Sequence, residues 1–198
     1  MRAEVMTLGT PNPRQREFLA CEKKYVAFGG ARGGGKSWAV RCKAKLLALR
    51  YAGIRILLVR RSLAELEANH LAFLRQELAD VAEYRAGERQ FRFCNGSVLQ
   101  FGYCGCDRDL DRYQGAEYDV IFLDEATQMK EQWMRQIAAC VRGVNDFPKR
   151  IYYTCNPGGP GHGYIKRLFI DRRFEDGEQP EDYAFIPARV TDNAALLA

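Results

Sequence analysis

The sequence predicts an α/β fold: a mostly parallel, twisted sheet with helices on both faces and an inserted β-hairpin. Three observations lead there. Short apolar runs of strand length alternate with longer segments whose apolar residues recur at helical spacing. A glycine cluster stands where the first apolar run meets the first long helix. In the middle of the chain, Asn95-Gly96 lies between two aromatic-rich runs, the strongest short hairpin signal.

The elements follow in order. Residues 12–22 read as a short helix with Pro13 at its start, where a missing N–H costs nothing. Tyr25 to Phe28 is a buried strand running into the glycines. Ser37 to Tyr51 has apolar residues at Ala39, Cys42, Leu46 and Leu49, a helix that Gly53 is placed to end. Ile54 to Val59 is a second buried strand. Ser62-Leu63-Ala64-Glu65 is a capping box for a long helix with apolar positions Leu63, Leu66, Leu71, Leu74, Leu78 and Val81. Phe91–Phe93 and Val98–Phe101 form the hairpin. Val120 to Leu123 is again a strand, followed by a helix carrying Met129, Trp133, Ile137 and Val141, with Gly143 after it. Ile151 to Thr154 is the last strand read, stopped by Asn156-Pro157-Gly158-Gly159. Past Arg173 the chain turns polar and loses its pattern. The expected organisation is an N-terminal helix over 1–24, a core over 25–173, and over 174–198 the truncated start of a linker or following subdomain.

Composition narrows the function classes. With 198 residues, 47% hydrophobic and 28% charged, this is an ordinary globular balance for one domain. No apolar run exceeds five residues, far short of a membrane-spanning helix, and the N-terminus lacks the apolar core of a signal peptide. Seven cysteines without a CxxC pair, beside only two histidines, point to reduced thiols rather than disulfides or zinc. The net charge of +5 is compatible with a nucleic-acid partner.

The chemistry is concentrated in three segments. Gly30-Ala31-Arg32-Gly33-Gly34-Gly35-Lys36-Ser37 satisfies G-x-x-x-x-G-K-[ST] between a strand and a helix, a P-loop. Glycines let successive backbone N–H groups curl around phosphate oxygens at a helix N-terminus. Lys36 would reach the β- and γ-phosphates and Ser37 would hold Mg²⁺; residues Gly30 to Trp38 are the expected ATP contacts. Val120 to Leu123 then delivers Asp124, for the metal directly or through water, and Glu125, the general base for the attacking water. Thr154-Cys155-Asn156, ending the next strand, would lie beside the γ-phosphate and sense its loss. Gln15 could read the adenine edge with its amide. Arg60-Arg61 ends the second strand, facing either phosphates or solvent. Gly158 to Gly163 reads as a mobile loop, with His162 a loop residue.

Together these segments identify a family. The chain resembles the N-terminal ATPase domain of the large terminase subunit of tailed bacteriophages. The likeness runs from Pro13-Arg14-Gln15 through the P-loop, Tyr113 to Gln128 and Thr154 to Gly158, as far as Gly161 to Phe169. It implies a P-loop NTPase of the RecA-like (ASCE) class, with ATP and Mg²⁺ as cofactors. It assigns Gln15 to adenine, Lys36 and Ser37 to phosphate and Mg²⁺, Asp124 and Glu125 to metal and catalysis, and Thr154, Cys155 and Asn156 to coupling. It also implies a homo-oligomeric ring of subunits when packaging, compatible with a monomer in isolation, working on double-stranded DNA with the portal protein and small terminase subunit in the host cytoplasm. The family's nuclease domain is absent from these residues. Two arginines are candidates for neutralising the transition state: Arg32, in cis from within the P-loop, and Arg112, in trans from a neighbouring subunit. A helicase-like DNA-dependent ATPase and a non-hydrolysing nucleotide switch are the alternatives; a helicase needs a second motor domain, and a switch has no use for Glu125.

Overall fold

The computed structural model describes residues 9–30, 33–189 and 192. The apolar runs become the strands of one sheet: β1 (Tyr25–Gly30), β2 (Arg55–Arg60), β3 (Ala82–Arg85), β4 (Gln90–Phe93), β5 (Val98–Tyr103), β6 (Val120–Leu123), β7 (Arg150–Cys155) and β8 (Tyr183–Ala188). Their order is β3-β4-β5-β2-β6-β7-β1-β8. Among the described strands β4 runs against the rest, antiparallel to β5 through the hairpin around Asn95-Gly96 and to β3 through the turn at residues 86–89. The carboxyl ends of β1, β2, β6 and β7 therefore share one edge, and β7 separates β1 from β6.

Period-two alternation sends successive side chains to opposite faces, and both faces are covered, so nearly every strand position is apolar. Val26, Phe28, Ile56, Leu58, Val120, Phe122 and Tyr152 pack under α1 (Pro13–Ala20), α2 (Lys36–Arg50) and the helix after β2. Ala27, Leu57, Val59, Ile121, Leu123, Ile151 and Tyr153 pack on the other face, under α5 (Glu131–Ala138) and the helix begun by α6 (His162–Ile165). The helix after β2 runs from α3 (Leu63–Leu66) through a π segment (Glu67–Leu71) into α4 (Ala72–Glu77). No described helix is long and apolar enough to cross a membrane.

The helix after β6 spans Glu131–Ala138 and leaves Met129 and Val141 outside it, and three further features differ from the sequence reading. On α2, Ala39 and Cys42 are buried as expected, but Leu46 and Leu49 lie 38% and 44% exposed. Small residues (Ala39, Ala44, Ala48) let this helix sit close on the sheet. Arg41, Lys43 and Lys45 turn inward instead, because each finds acceptors there. Lys43 Nζ donates to the carbonyls of Leu19 (2.5 Å) and Cys21 (3.2 Å), closing the carboxyl end of α1, and Lys45 Nζ meets Glu77 at 2.6 Å. The helix after β2 stops at Glu77 rather than continuing to Val81, and the chain reverses into edge strand β3, where Tyr84 lies against Phe91. Past Arg173, the polar segment supplies β8, parallel to β1 in register Gly30↔Ala188. The sheet thus extends through Ala188. Pro187 is tolerated because β8 is an edge strand.

This core makes the domain sensitive to alkali. Burial raises the thiols of Cys104 to about 12 and Cys155 to about 11, and the phenols of Tyr152 and Tyr164 to about 12. In the unfolded chain these groups lose their protons near pH 8.5 to 10, while the folded state retains them, so stability falls as pH rises past about 9. Lys43 works the other way: burial lowers its ammonium to about 8, which adds stability between there and the unfolded lysine value. The buried acids outnumber Lys43 and Lys36, whose ammonium groups burial lowers. The denaturation midpoint should therefore decline between pH 9 and 11; a flat midpoint over that window would contradict this account.

Candidate active site

β1 delivers the chain to the P-loop at Gly30, whose φ of 142° and pairing against β8 leave no room for a side chain. A Cβ there would meet the Ala188 carbonyl oxygen at 2.2 Å. The loop ends at Gly35, in left-handed conformation as the N-cap of α2, so Lys36 and Ser37 open that helix. Gly34 is buried, Ser37 and Trp38 are half-buried, and Trp38 lies beside Gly9. Arg32 and Ala31 fall outside the described residues. Lys36 is 8% exposed. Burial lowers its ammonium, and the facing Cys155, Asp124 and Glu125 oppose that shift, which places the amine in the field of the two carboxylates.

β6 is buried along its whole length and ends at Asp124, itself 1% exposed. Burial would raise this carboxyl; His70, Arg60 and the Thr154 hydroxyl outweigh it and hold the group at about 2, fully ionised. The next residue, Glu125, has φ 51° and ψ 46°, a left-handed backbone that an ordinary side chain adopts at a cost of about 1–3 kcal/mol. What holds it there comes from β7. Thr154 Oγ1 accepts the Glu125 N–H at 2.8 Å and donates to Asp124 Oδ1 at 2.5 Å, so one hydroxyl pins both acidic residues. Two residues on, the Asn156 carbonyl accepts the Thr127 hydroxyl at 2.9 Å. Cys155 between them stays a thiol, raised by burial, with its sulfur against Gly29.

Lys36, Asp124, Glu125, Thr154 and Cys155 therefore meet at the shared edge of β1, β6 and β7. Gln15 joins them from α1: its Nε2 donates to the Gly35 carbonyl at 3.1 Å, while its Oε1 accepts the Asn12 N–H at 2.9 Å in a capping box. Each end of that amide makes one of these bonds and keeps a second N–H and a second lone pair for an adenine edge. Arg112 does not join. Its guanidinium pairs with Asp109 at 2.8 Å and lies 4.2 Å over the Tyr103 ring, beyond β5 on the outer part of the same edge. Within Gly158–Gly163 two glycines are held against the segment after β6: the Gly161 N–H donates to the Thr127 carbonyl at 2.9 Å, and a Cβ on Gly159 would meet the Thr127 oxygen at 2.2 Å.

Two residues beside the carboxylates make contacts that the sequence reading did not assign. Arg60 is neither solvated nor free to face a distant phosphate: its guanidinium is 6% exposed, 2.9 Å from Glu125 Oε1 and 3.3 Å from Asp124 Oδ2. His70 is fully buried, with Nε2 2.8 Å from Asp124 Oδ2. Arg60 had a signal, its place at the end of a central parallel strand, where ligands bind. For His70 the signal is a break in the leucine spacing of its helix.

Comparison with known proteins agrees with this geometry. Among curated proteins none matches the chain. Solved structures do. The large terminase of a thermophilic bacteriophage superposes with TM-score 0.77 at 17% identity, over 94% of this chain and 48% of its own, so this chain spans about half of that protein. The same terminase has been solved with ADP and with ATP-γ-S. The ATPase domain of the Thermus phage P74-26 large terminase gives TM-score 0.69 at 14% identity, over 94% of this chain and 84% of that one. The N-terminal domain of the DNA packaging ATPase of bacteriophage phi29 gives 0.58 at 19%, over 87% and 93%. These identities establish the fold. Membership comes from sequence: residues 27–197 match the family described as terminase large subunit, T4likevirus-type, N-terminal, and the chain belongs to that family of large terminase ATPase domains.

Proposed function

We propose that this domain hydrolyses ATP with Mg²⁺, and that the terminase subunit containing it uses the energy to drive double-stranded viral DNA into a procapsid. One observation carries the reading: a P-loop lysine and an adjacent pair of carboxylates, one buried and ionised, converge on a single sheet edge. Lys36 and the P-loop N–H groups bind the β- and γ-phosphates, with Gln15 and Trp38 toward the base. Glu125 orients and deprotonates the attacking water.

The residues present fit Mg²⁺. Among the described residues, no group of three or more His, Cys, Asp or Glu could cage a metal alone. Mg²⁺ characteristically takes one or two protein oxygens and completes its shell with water and substrate phosphates, and Ser37 and Asp124 supply that pair. When bound, the ion neutralises charge that develops on the phosphates. Thr154, bonded at once to Asp124 and to the Glu125 backbone, is where loss of the γ-phosphate would pull on β7, so Thr154, Cys155 and Asn156 couple hydrolysis to movement. Arg32 acts in cis and Arg112 in trans, the latter leaving Asp109 and Tyr103 to reach a neighbour in a homo-oligomeric ring. The partners in this reading are double-stranded DNA, a portal protein and a small terminase subunit, in the host cytoplasm.

The test uses the full-length subunit with portal-bearing procapsids and linear double-stranded DNA. ATP and Mg²⁺ together should render DNA nuclease-resistant, accompanied by steady phosphate release. Phosphate release without protection would leave an ATPase but remove packaging; neither would remove both.

A further inference from the structure

Of the two histidines, His70 is the buried one, and the backbone departs from α-helical geometry where it lies. The leucines of this helix step by three or four residues except between Leu66 and Leu71, a step of five. A regular helix would bring His70 inward and swing Leu71 about 100° away. The π segment Glu67–Leu71 widens the turn by one residue, and both His70 and Leu71 end fully buried.

Packing does not account for the histidine. Its Nδ1 is buried with no hydrogen-bond partner among the described residues, a cost that leucine at the same position would not carry. Among the described residues its polar contact is to Asp124; a carboxylate that ligates Mg²⁺ can only accept, so His70 Nε2 donates. Thr154 already holds Oδ1 from β7. His70, from a helix 54 residues earlier in the chain, holds Oδ2 at 2.8 Å, which locks the carboxylate against rotation.

We propose that His70 is a positioning residue for the magnesium site: its Nε2–H fixes the orientation in which Asp124 meets the ion. This rests on the reading of Asp124 as a Mg²⁺ ligand. Partners of this kind, one step removed from the metal, typically change metal affinity or activity 10- to 100-fold when removed.

The experiment compares wild type, His70→Leu and His70→Gln, the last keeping an amide N–H at similar reach. Mn²⁺ is titrated in the presence of a non-hydrolysable ATP analogue, with free Mn²⁺ read by electron paramagnetic resonance. Nucleotide affinity in EDTA and the thermal midpoint are measured alongside. His70→Leu should weaken Mn²⁺ binding about 10- to 100-fold while metal-free nucleotide affinity and thermal midpoint hold, and His70→Gln should recover most of the loss. Unchanged Mn²⁺ affinity in His70→Leu would overturn the proposal. So would parallel loss of metal-free nucleotide binding and thermal stability in both variants, the mark of a structural role. A wild-type protein that binds no Mn²⁺ with the nucleotide would instead remove the reading of Asp124 on which the proposal rests.

Discussion

Glu125→Gln should bind ATP as tightly as wild type and release phosphate roughly 10²- to 10⁴-fold more slowly, the usual contribution of a positioned general base. The substitution keeps the side chain's size and leaves the backbone where Thr154 holds it, since that bond goes to the Glu125 N–H and not to the carboxylate. It removes the proton acceptor and the charge that pairs with Arg60 at 2.9 Å. Asp124 retains its own contacts to His70, Arg60 and Thr154, so the fold and the metal ligand persist. Equilibrium binding of a fluorescent ATP analogue and single-turnover hydrolysis separate the two effects. Hydrolysis at the wild-type rate would take Glu125 out of the catalytic role; loss of binding in step with turnover would make it a ligand for the nucleotide.

Lys36→Ala should nearly abolish nucleotide binding. Truncating one member of a buried, charge-paired contact costs about 2–5 kcal/mol, which is roughly 30- to 4,000-fold in affinity. Lys36 is well placed for a cost in this range: its ammonium is buried beside Cys155, Asp124 and Glu125 and lies on the first turn of α2, where phosphate binds. Because burial disfavours that charge, removing it should not lower the thermal midpoint measured without nucleotide. Affinity within threefold of wild type would show that the loop's N–H groups alone hold the phosphates.

Much of this was legible in the chain because the signals are local. The P-loop is eight consecutive residues, Asn95-Gly96 marks its own turn, and Val120–Leu123 is readable as a buried strand with Asp124 and Glu125 at its end. Each follows from neighbouring residues: a glycine's accessible φ, the period of apolar side chains, a carboxylate just after a buried run. Thr154 was likewise legible as a strand end. Its double hydrogen bond was not.

What only the tertiary structure decided depends on which elements become neighbours. β8 carries a proline and little alternation, and forms because β1 presents it an edge with Gly30 against Ala188. The exposure of Leu46 and Leu49, with Lys43 turned in, comes from the acceptors that α1 and Glu77 offer across the packing surface, which helical periodicity cannot anticipate. The contacts on Asp124 come from β2, β7 and a π turn, between 30 and 64 residues away in sequence. The sequence by itself determined the chemistry available and the strands that carry it, since these are encoded in short windows. The strand order, the ionisation of Asp124 and the grip of His70 and Arg60 arose only on folding, because burial and opposite charge act through space and become strong when packing excludes water.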